Sequence, residues 1–236
     1  MKCVTKATVA VLMCVGVLLS FETQALGQCP CLTQYEAAGT VVNSNILKGK
    51  IKATVAQAKV TKPGFKETTL ANVDLSYDAT AFGINLFGGL HGTLARATAS
   101  AGNGQSDGTA ELLNVDLGLQ VLYNLGITAD LVRSEAHAVC TYPGSSTSGA
   151  SQLVNLMVDV DGPGPDAAVA VTVTGAPNQV ILLAGGGKLI INEQKIGGGT
   201  RPNIVVNALH LVIPNIADVV IASSYASVTC FCVPTS

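Results

Sequence analysis

Apolar and polar residues alternate with a period of two along most of the chain, and glycine-rich turns such as Gly102-Asn103-Gly104 and Gly144-Ser145-Ser146 interrupt the alternation. That period places successive side chains on opposite faces of an extended strand, and the many β-branched residues agree with it. One pattern, apolar–x–Asn–apolar–x–apolar, recurs. It begins at Leu70 (Leu-Ala-Asn-Val-Asp-Leu), at Leu112 (Leu-Leu-Asn-Val-Asp-Leu), at Leu153 (Leu-Val-Asn-Leu-Met-Val) and, after 52 residues, at Val205 as Val205 to Leu211. The first three copies start 42 and 41 residues apart. A second pattern alternates with the first, in Leu94 to Ala101 and Leu131 to Ala138, more loosely in Ile51 to Ala56, and again in Val219 to Ala226.

Each pair of patterns predicts a hairpin of two strands. A single hairpin does not hold together in water, so about four of them must pool their apolar faces. The expected fold is all-β, an antiparallel β-sandwich or a flattened barrel. A β-solenoid is the alternative, although its rungs are usually shorter than this period. Between the third and fourth copies lies an insertion at about 161–200. It comprises a Gly/Pro loop, strands at 168–174 and 180–184, a Gly185-Gly186-Gly187 turn, and a strand at Lys188 to Gln194.

The first 27 residues interrupt this picture. Lys2 and Lys6 precede an apolar run from Ala7 to Leu19, and Ala25-Leu26-Gly27 offers a small-x-small cleavage site before Gln28. That is the layout of an export signal. The expected organisation is therefore a signal peptide at 1–27 and a single β-domain at 28–236. The protein is expected to be secreted, either extracellular or at the cell surface, with the periplasm as the alternative. No later apolar stretch is long enough for a membrane helix. The mean hydropathy of +0.46 raises an outer-membrane barrel, but such barrels carry aromatic girdles, and this chain has no Trp and 4% aromatics. Removing Lys2, Lys6 and Glu22 takes 13 basic and 15 acidic residues to 11 and 14, a net charge of −3. That balance gives no electrostatic reason to expect nucleic acid or anionic lipid. Six of the eleven basic residues fall between Lys48 and Lys66, which reads as a solvated basic hairpin.

Five cysteines follow the signal: Cys29, Cys31, Cys140, Cys230 and Cys232. Export favours their oxidation. Cys140 and Cys230 end equivalent strands of related units, and a bond between them closes a loop of 90 residues (230 − 140). By chain entropy such a loop contributes on the order of 4 kcal/mol. Cys31 with Cys232 would join the two ends, leaving Cys29 for a bond between molecules. Asp159, Asp161 and Asp166 share one Gly/Pro loop, so Ca²⁺ is a candidate ligand. Their spacing fits no standard calcium loop, and a solvated turn is the simpler reading. His91, His137 and His210 are the groups suited to proton transfer near neutrality. No Gly-x-Ser-x-Gly elbow or His-Glu-x-x-His helix accompanies them, and no catalytic residue is assigned.

Several segments resemble the choice-of-anchor P family of bacterial extracellular proteins. They are Ser106 to Val115, Ile127 to Val132 leading to Cys140, Ser148 to Ser151 with Leu153 to Leu156, Ala176-Pro177-Asn178, Ile191-Asn192-Glu193-Gln194, Val205 to Leu211, and Asp218 to Ile221 leading to Cys230. The resemblance covers roughly residues 90–232, and Asn192, Glu193 and Gln194 form its signature segment. It implies a secreted or cell-surface module with no agreed activity, hence no enzyme and no catalytic residue to carry over. Four residues of the sequence follow Cys232, so covalent anchoring through the sorting signal that often closes such proteins is not expected. The expected function is structural or surface-interaction, with self or other surface proteins as partners and cross-linking through the terminal cysteines. A glycan- or cation-binding sandwich is the alternative.

Overall fold

The computed structural model describes residues 7–10, 20–23, 31–49, 51–81, 84–120, 124–141, 144–160, 168–183, 186–198 and 201–232. The chain divides into two compact units, one of Met1–Thr33 with Cys230–Ser236 and one of Gln34–Thr229. In the first, β1 (Ala7–Ala10) pairs antiparallel with β2 (Ser20–Thr23). The rest of residues 1–27, expected as an export signal, lies outside the described residues.

The second unit is an antiparallel β-sandwich. The strands of the sandwich, of which Cys31–Thr33 and Cys230–Cys232 are counted in the first unit, are β3 (Cys31–Ile46), β4 (Ile51–Val60), β5 (Gly64–Ala81), β6 (Ile84–Gly102), β7 (Gln105–Gln120), β8 (Asn124–Thr141), β9 (Gly144–Val154), β10 (Met157–Val160), β11 (Val169–Ala170), β12 (Gln179–Leu182), β13 (Lys188–Gly197), β14 (Asn203–Ile213) and β15 (Ala217–Cys232). One sheet runs β11-β10-β8-β7-β6-β5, with β9 also on β8, and the other runs β12-β13-β14-β15-β3-β4. Both sheets end in open edges, at β5 and β4, so no closed barrel forms, and the antiparallel pairing in two packed sheets replaces the solenoid. The expected hairpins are present, but β5 to β9 continue as one meander rather than as separate pairs. The segment expected as an inserted strand at 168–174 keeps only two strand residues, Val169–Ala170. Lys188–Gly197, by contrast, is an interior strand of the six-stranded sheet.

These strands reach 19 residues, and most do not bury one face throughout. In β7, Ser106, Gly108, Ala110 and Leu112 are buried, then Val115, Leu117 and Leu119. The inward set switches from even to odd positions across Asn114, whose φ is 50°. Strand β8 switches in the same place, from Leu125, Ile127 and Ala129 to Val132, Ser134, Ala136 and Ala138. The ladder skips one pair there, running from Leu113↔Leu131 to Val115↔Ala129. Asn72 (φ 58°) and Asn155 (φ 52°) occupy the same line on β5 and just past β9. A left-handed residue reorients the strand so that one side of the sheet stays inward although the residue parity has changed. Among residues with a side chain, Asn is one of the few that tolerate this conformation. Its amide also ties the line together: Asn114 Nδ2 donates to Thr93 Oγ1 at 2.8 Å and Asn155 Nδ2 to Asp130 Oδ2. The six-stranded sheet has its own line, with positive φ at Asn192 (52°), Ala222 (55°) and Ala56 (46°).

The repeated asparagine thus marks a midline rather than a turn. The fourth copy differs from expectation. Asn207 has no positive φ, because left-handed residues fall on alternate strands and β14 lies between Asn192 and Ala222. Asn178 (φ 60°) is left-handed in a turn, and the next left-handed asparagine within a strand after Asn155 is Asn192, 37 residues on (192 − 155). Asn114→Ala is expected to cost about 1–2 kcal/mol by forcing a Cβ into this conformation without amide support, and Asn114→Gly less. Urea midpoints of the two variants check this, and equal losses would speak against a left-handed requirement.

Small side chains set the distance between the sheets. A Cβ on Gly39 would lie 1.8 Å from the carbonyl oxygen of Thr109 in the facing sheet. A Cβ on Gly108 would lie 2.3 Å from that of Ala38. Around this contact Ala37, Ala58, Ala95, Ala97, Ala99 and Ala110 are buried. Large aliphatics such as Leu117, Ile127, Leu189 and Leu209 fill the core beyond it. A core of this kind has little use for aromatic rings, which accounts for their scarcity.

Candidate functional site

The signature segment Asn192-Glu193-Gln194 lies in β13 immediately after the apolar run Leu189 to Ile191. Its three residues hold three different parts of the fold. Asn192 Nδ2 donates to the Gly175 carbonyl at 2.9 Å, and the Asn192 carbonyl accepts from the Asn178 amide at 2.9 Å. The Gln194 amide donates to Asn178 Oδ1, and Gln194 Nε2 donates to the Gly149 carbonyl at 3.0 Å. Glu193 faces the neighbouring strands. Its Oε2 accepts from Asn207 Nδ2 at 2.6 Å and bonds His210 Nδ1 at 2.8 Å, while Lys195 Nζ lies 3.0 Å from Oε1. His210 Nε2 is 2.9 Å from Asp218 Oδ1, and Ser223 Oγ donates to Asn207 Oδ1 at 2.7 Å.

Asn207 and His210 converge on one carboxylate because of the midline. Residues three apart on a regular strand face opposite sides. In β14, Ile204, Val206 and Ala208 turn inward, and then Leu209, Leu211 and Ile213. Both Asn207 and His210 therefore face out. Glu193 and His210 are each 8% exposed, so this is a buried charge cluster. Burial pushes the Glu193 carboxyl up. The Asn207 hydrogen bond, the Lys195 ammonium and the His210 imidazole outweigh it and hold the carboxyl below its ordinary value. Carboxylates only accept, so His210 makes both of its bonds at once when both ring nitrogens carry protons. Each member is engaged by another, which suits a brace between strands. The sequence singled out Glu193 and His210 separately. Their pairing was hidden because spacing in a sequence does not reveal cross-strand register.

A second feature lies on the outward face of the seven-stranded sheet, beyond its midline. Ser76, Gly89, Gly118, Gly126 and Asp159 stand opposite one another across β5, β6, β7, β8 and β10. This nearly bare row is flanked on one side by Asp74, His91, Asp116, Thr128 and Met157. On the other side stand Asp78, Phe87, Gln120 and Asn124. The result is a groove across the strands. Its middle holds a depression of about 290 Å³ lined by Phe87, Gly88, Gly89, His91, Asp116, Gly118 and Gln120. Phe87 is 47% exposed. His91 Nδ1 sits 3.3 Å from Asp74 Oδ1. A Cβ on Gly118 would meet nothing within 4 Å, so the space above it is open. No sequence motif announced this groove, since its glycines belong to three separate strands.

Among the three candidate calcium ligands, Asp159 is in β10 opposite Gly126, and its Oδ1 is buried without a hydrogen-bond partner. Asp161 and Asp166 lie outside the described residues. Among the described residues no three acidic, His or Cys side chains gather as a metal site. Cys140 and Cys230 are disulfide-bonded, as the pair Cys140–Cys230. Cys31 begins β3 and Cys232 ends β15, while Cys29 lies outside the described residues. His137 Nδ1 bonds Asp107 Oδ1 at 2.8 Å on an exposed, charge-laced face.

No protein-family model, curated protein or solved structure matches the chain.

Proposed function

We propose that this chain is an exported module for structure and surface interaction, without catalytic activity, of the kind represented by the choice-of-anchor P proteins it resembles. The observation that carries the reading is the Cys140–Cys230 disulfide, because such bonds persist in oxidising compartments and are rare in the cytosol. Two further features support it. Among the described residues, the buried ionisable cluster around Glu193 is closed on itself and braces three strands. The broad outward groove, by contrast, is open to solvent and lined by polar groups. Cys31 with Cys232 would join the two ends, and the partner of Cys29 would be sought in another copy or another surface protein.

Cell fractionation followed by non-reducing peptide mapping tests the reading. The expected result is a mature chain beginning at Gln28, found outside the cytosol, with Cys140 and Cys230 in one cross-linked peptide. A full-length cytosolic product with reduced thiols at both positions would reject it. The cation variant of the reading rests on Asp159 and its loop. Calorimetric titration with Ca²⁺ is expected to show heat that Asp159→Asn removes, and a flat titration discards that variant.

A further inference from the structure

The groove on the seven-stranded sheet has a form that selects among ligands. Five strands contribute to its central row, three of them with glycine, so at roughly 4.8 Å per strand it runs about 19 Å across the sheet. Its walls stand two residues to either side, or roughly 7 Å each way. The floor is backbone whose amides and carbonyls are already spent in ladder bonds, so an extended peptide cannot add to it as a strand. Asp74, Asp78, Asp116 and Asp159 face the groove with His91 as the one potential cation among the row residues. That charge disfavours phosphate, uronate or any other polyanion.

The same carboxylates, as hydrogen-bond acceptors, suit an extended, hydroxyl-rich chain. We propose that the groove binds a linear polysaccharide of neutral sugars, with one sugar seated in the depression. This names the ligand class for the surface-interaction reading above and rests on it. Phe87 presents its half-exposed ring to the apolar face of the sugar, where a flat ring offers area at small entropic cost. Asp116 accepts hydroxyl protons, and the Gln120 amide and His91 imidazole each donate and accept. Gly118 leaves the floor bare so that the sugar can approach the sheet, and the His91 ring lies close over Gly89.

Two substitutions test the site without touching the core. Gly118→Tyr fills the groove, since a side chain there meets nothing within 4 Å. Phe87→Ala removes the platform, and Phe65→Ala serves as a control because Phe65 is 64% exposed elsewhere on the sheet. The probe is affinity electrophoresis through gels containing linear neutral glucans, mannans, xylans or galactans, with polyuronates alongside. Retardation by at least one neutral polymer is expected. It should be abolished in Gly118→Tyr, weakened about tenfold in Phe87→Ala, and kept in Phe65→Ala. Circular dichroism confirms that each variant is folded. Absence of retardation by every neutral polymer overturns the proposal, as does retardation by polyuronates alone or equal retardation of Gly118→Tyr. Binding to isolated cell envelopes separates the two claims. Retention that survives periodate but not protease overturns the saccharide and leaves the interaction reading standing.

Discussion

Gly39→Ala is expected to destabilise the sandwich by more than roughly 3 kcal/mol, beyond the usual range for overpacking, and to lower the yield of folded protein. The added methyl would sit 1.8 Å from the Thr109 carbonyl oxygen and 2.9 Å from that of Thr98. Both obstacles are backbone, held by ladder bonds on each side, so neither can swing away as a side chain would. Relief requires the sheets to separate, and separation loosens the ring of buried alanines around the contact. Gly108→Ala meets the Ala38 and Tyr225 carbonyls at 2.3 and 2.6 Å and should behave alike. Gly118→Ala is the contrast: with open space above it, the change should be near neutral, or mildly stabilising through lower backbone entropy in the unfolded chain. Urea unfolding of the three variants checks the ranking. A Gly39→Ala midpoint equal to that of the parent protein would contradict the backbone-to-backbone contact.

Glu193→Ala should cost about 3–5 kcal/mol, the range for removing one partner of a buried charge cluster. The loss leaves Asn207 Nδ2 and His210 Nδ1 facing a void. Glu193→Gln keeps the shape and an acceptor and should cost about 1–3 kcal/mol. The pH dependence separates charge from shape. The folded carboxyl lies below its ordinary value near 4.5, so its contribution is complete above that value and is lost as pH falls through the depressed folded value. Stability measured between neutrality and strong acid should therefore decline more steeply in the parent protein than in Glu193→Gln below about pH 4.5. Parallel curves would assign the brace to hydrogen bonding alone.

Much of the architecture was legible. Period-two alternation located most strands, and the recurrence at Leu70, Leu112 and Leu153 correctly implied equivalent strands in one framework. The midline was also written there. In each copy the apolar spacing is three and then two, as in Leu112, Val115 and Leu117, whereas an unbroken strand gives only twos. The asparagine inside the spacing of three is the residue able to adopt the backbone that the slip requires. At Val206, Leu209 and Leu211 the same spacing marked the slip in β14, but the left-handed residues were on its neighbours. Sequence shows each strand's phase, not which strand of a pair takes the unusual backbone. Nor does it show register. Glu193 and His210 are 17 positions apart, and Gly89, Gly118 and Gly126 belong to three turns of a meander, so both the brace and the groove came into view only with the strands side by side.

The midline also constrains how such a protein can change. Striking Asn114 from β7 would give a strand of flawless alternation, Leu112 in, Leu113 out, Val115 in. Yet that shortened strand would fall one step out of step with both neighbours, because Thr93 and Asp130 still occupy the same level. Single-residue deletions at this level are therefore forbidden individually and harmless only in concert.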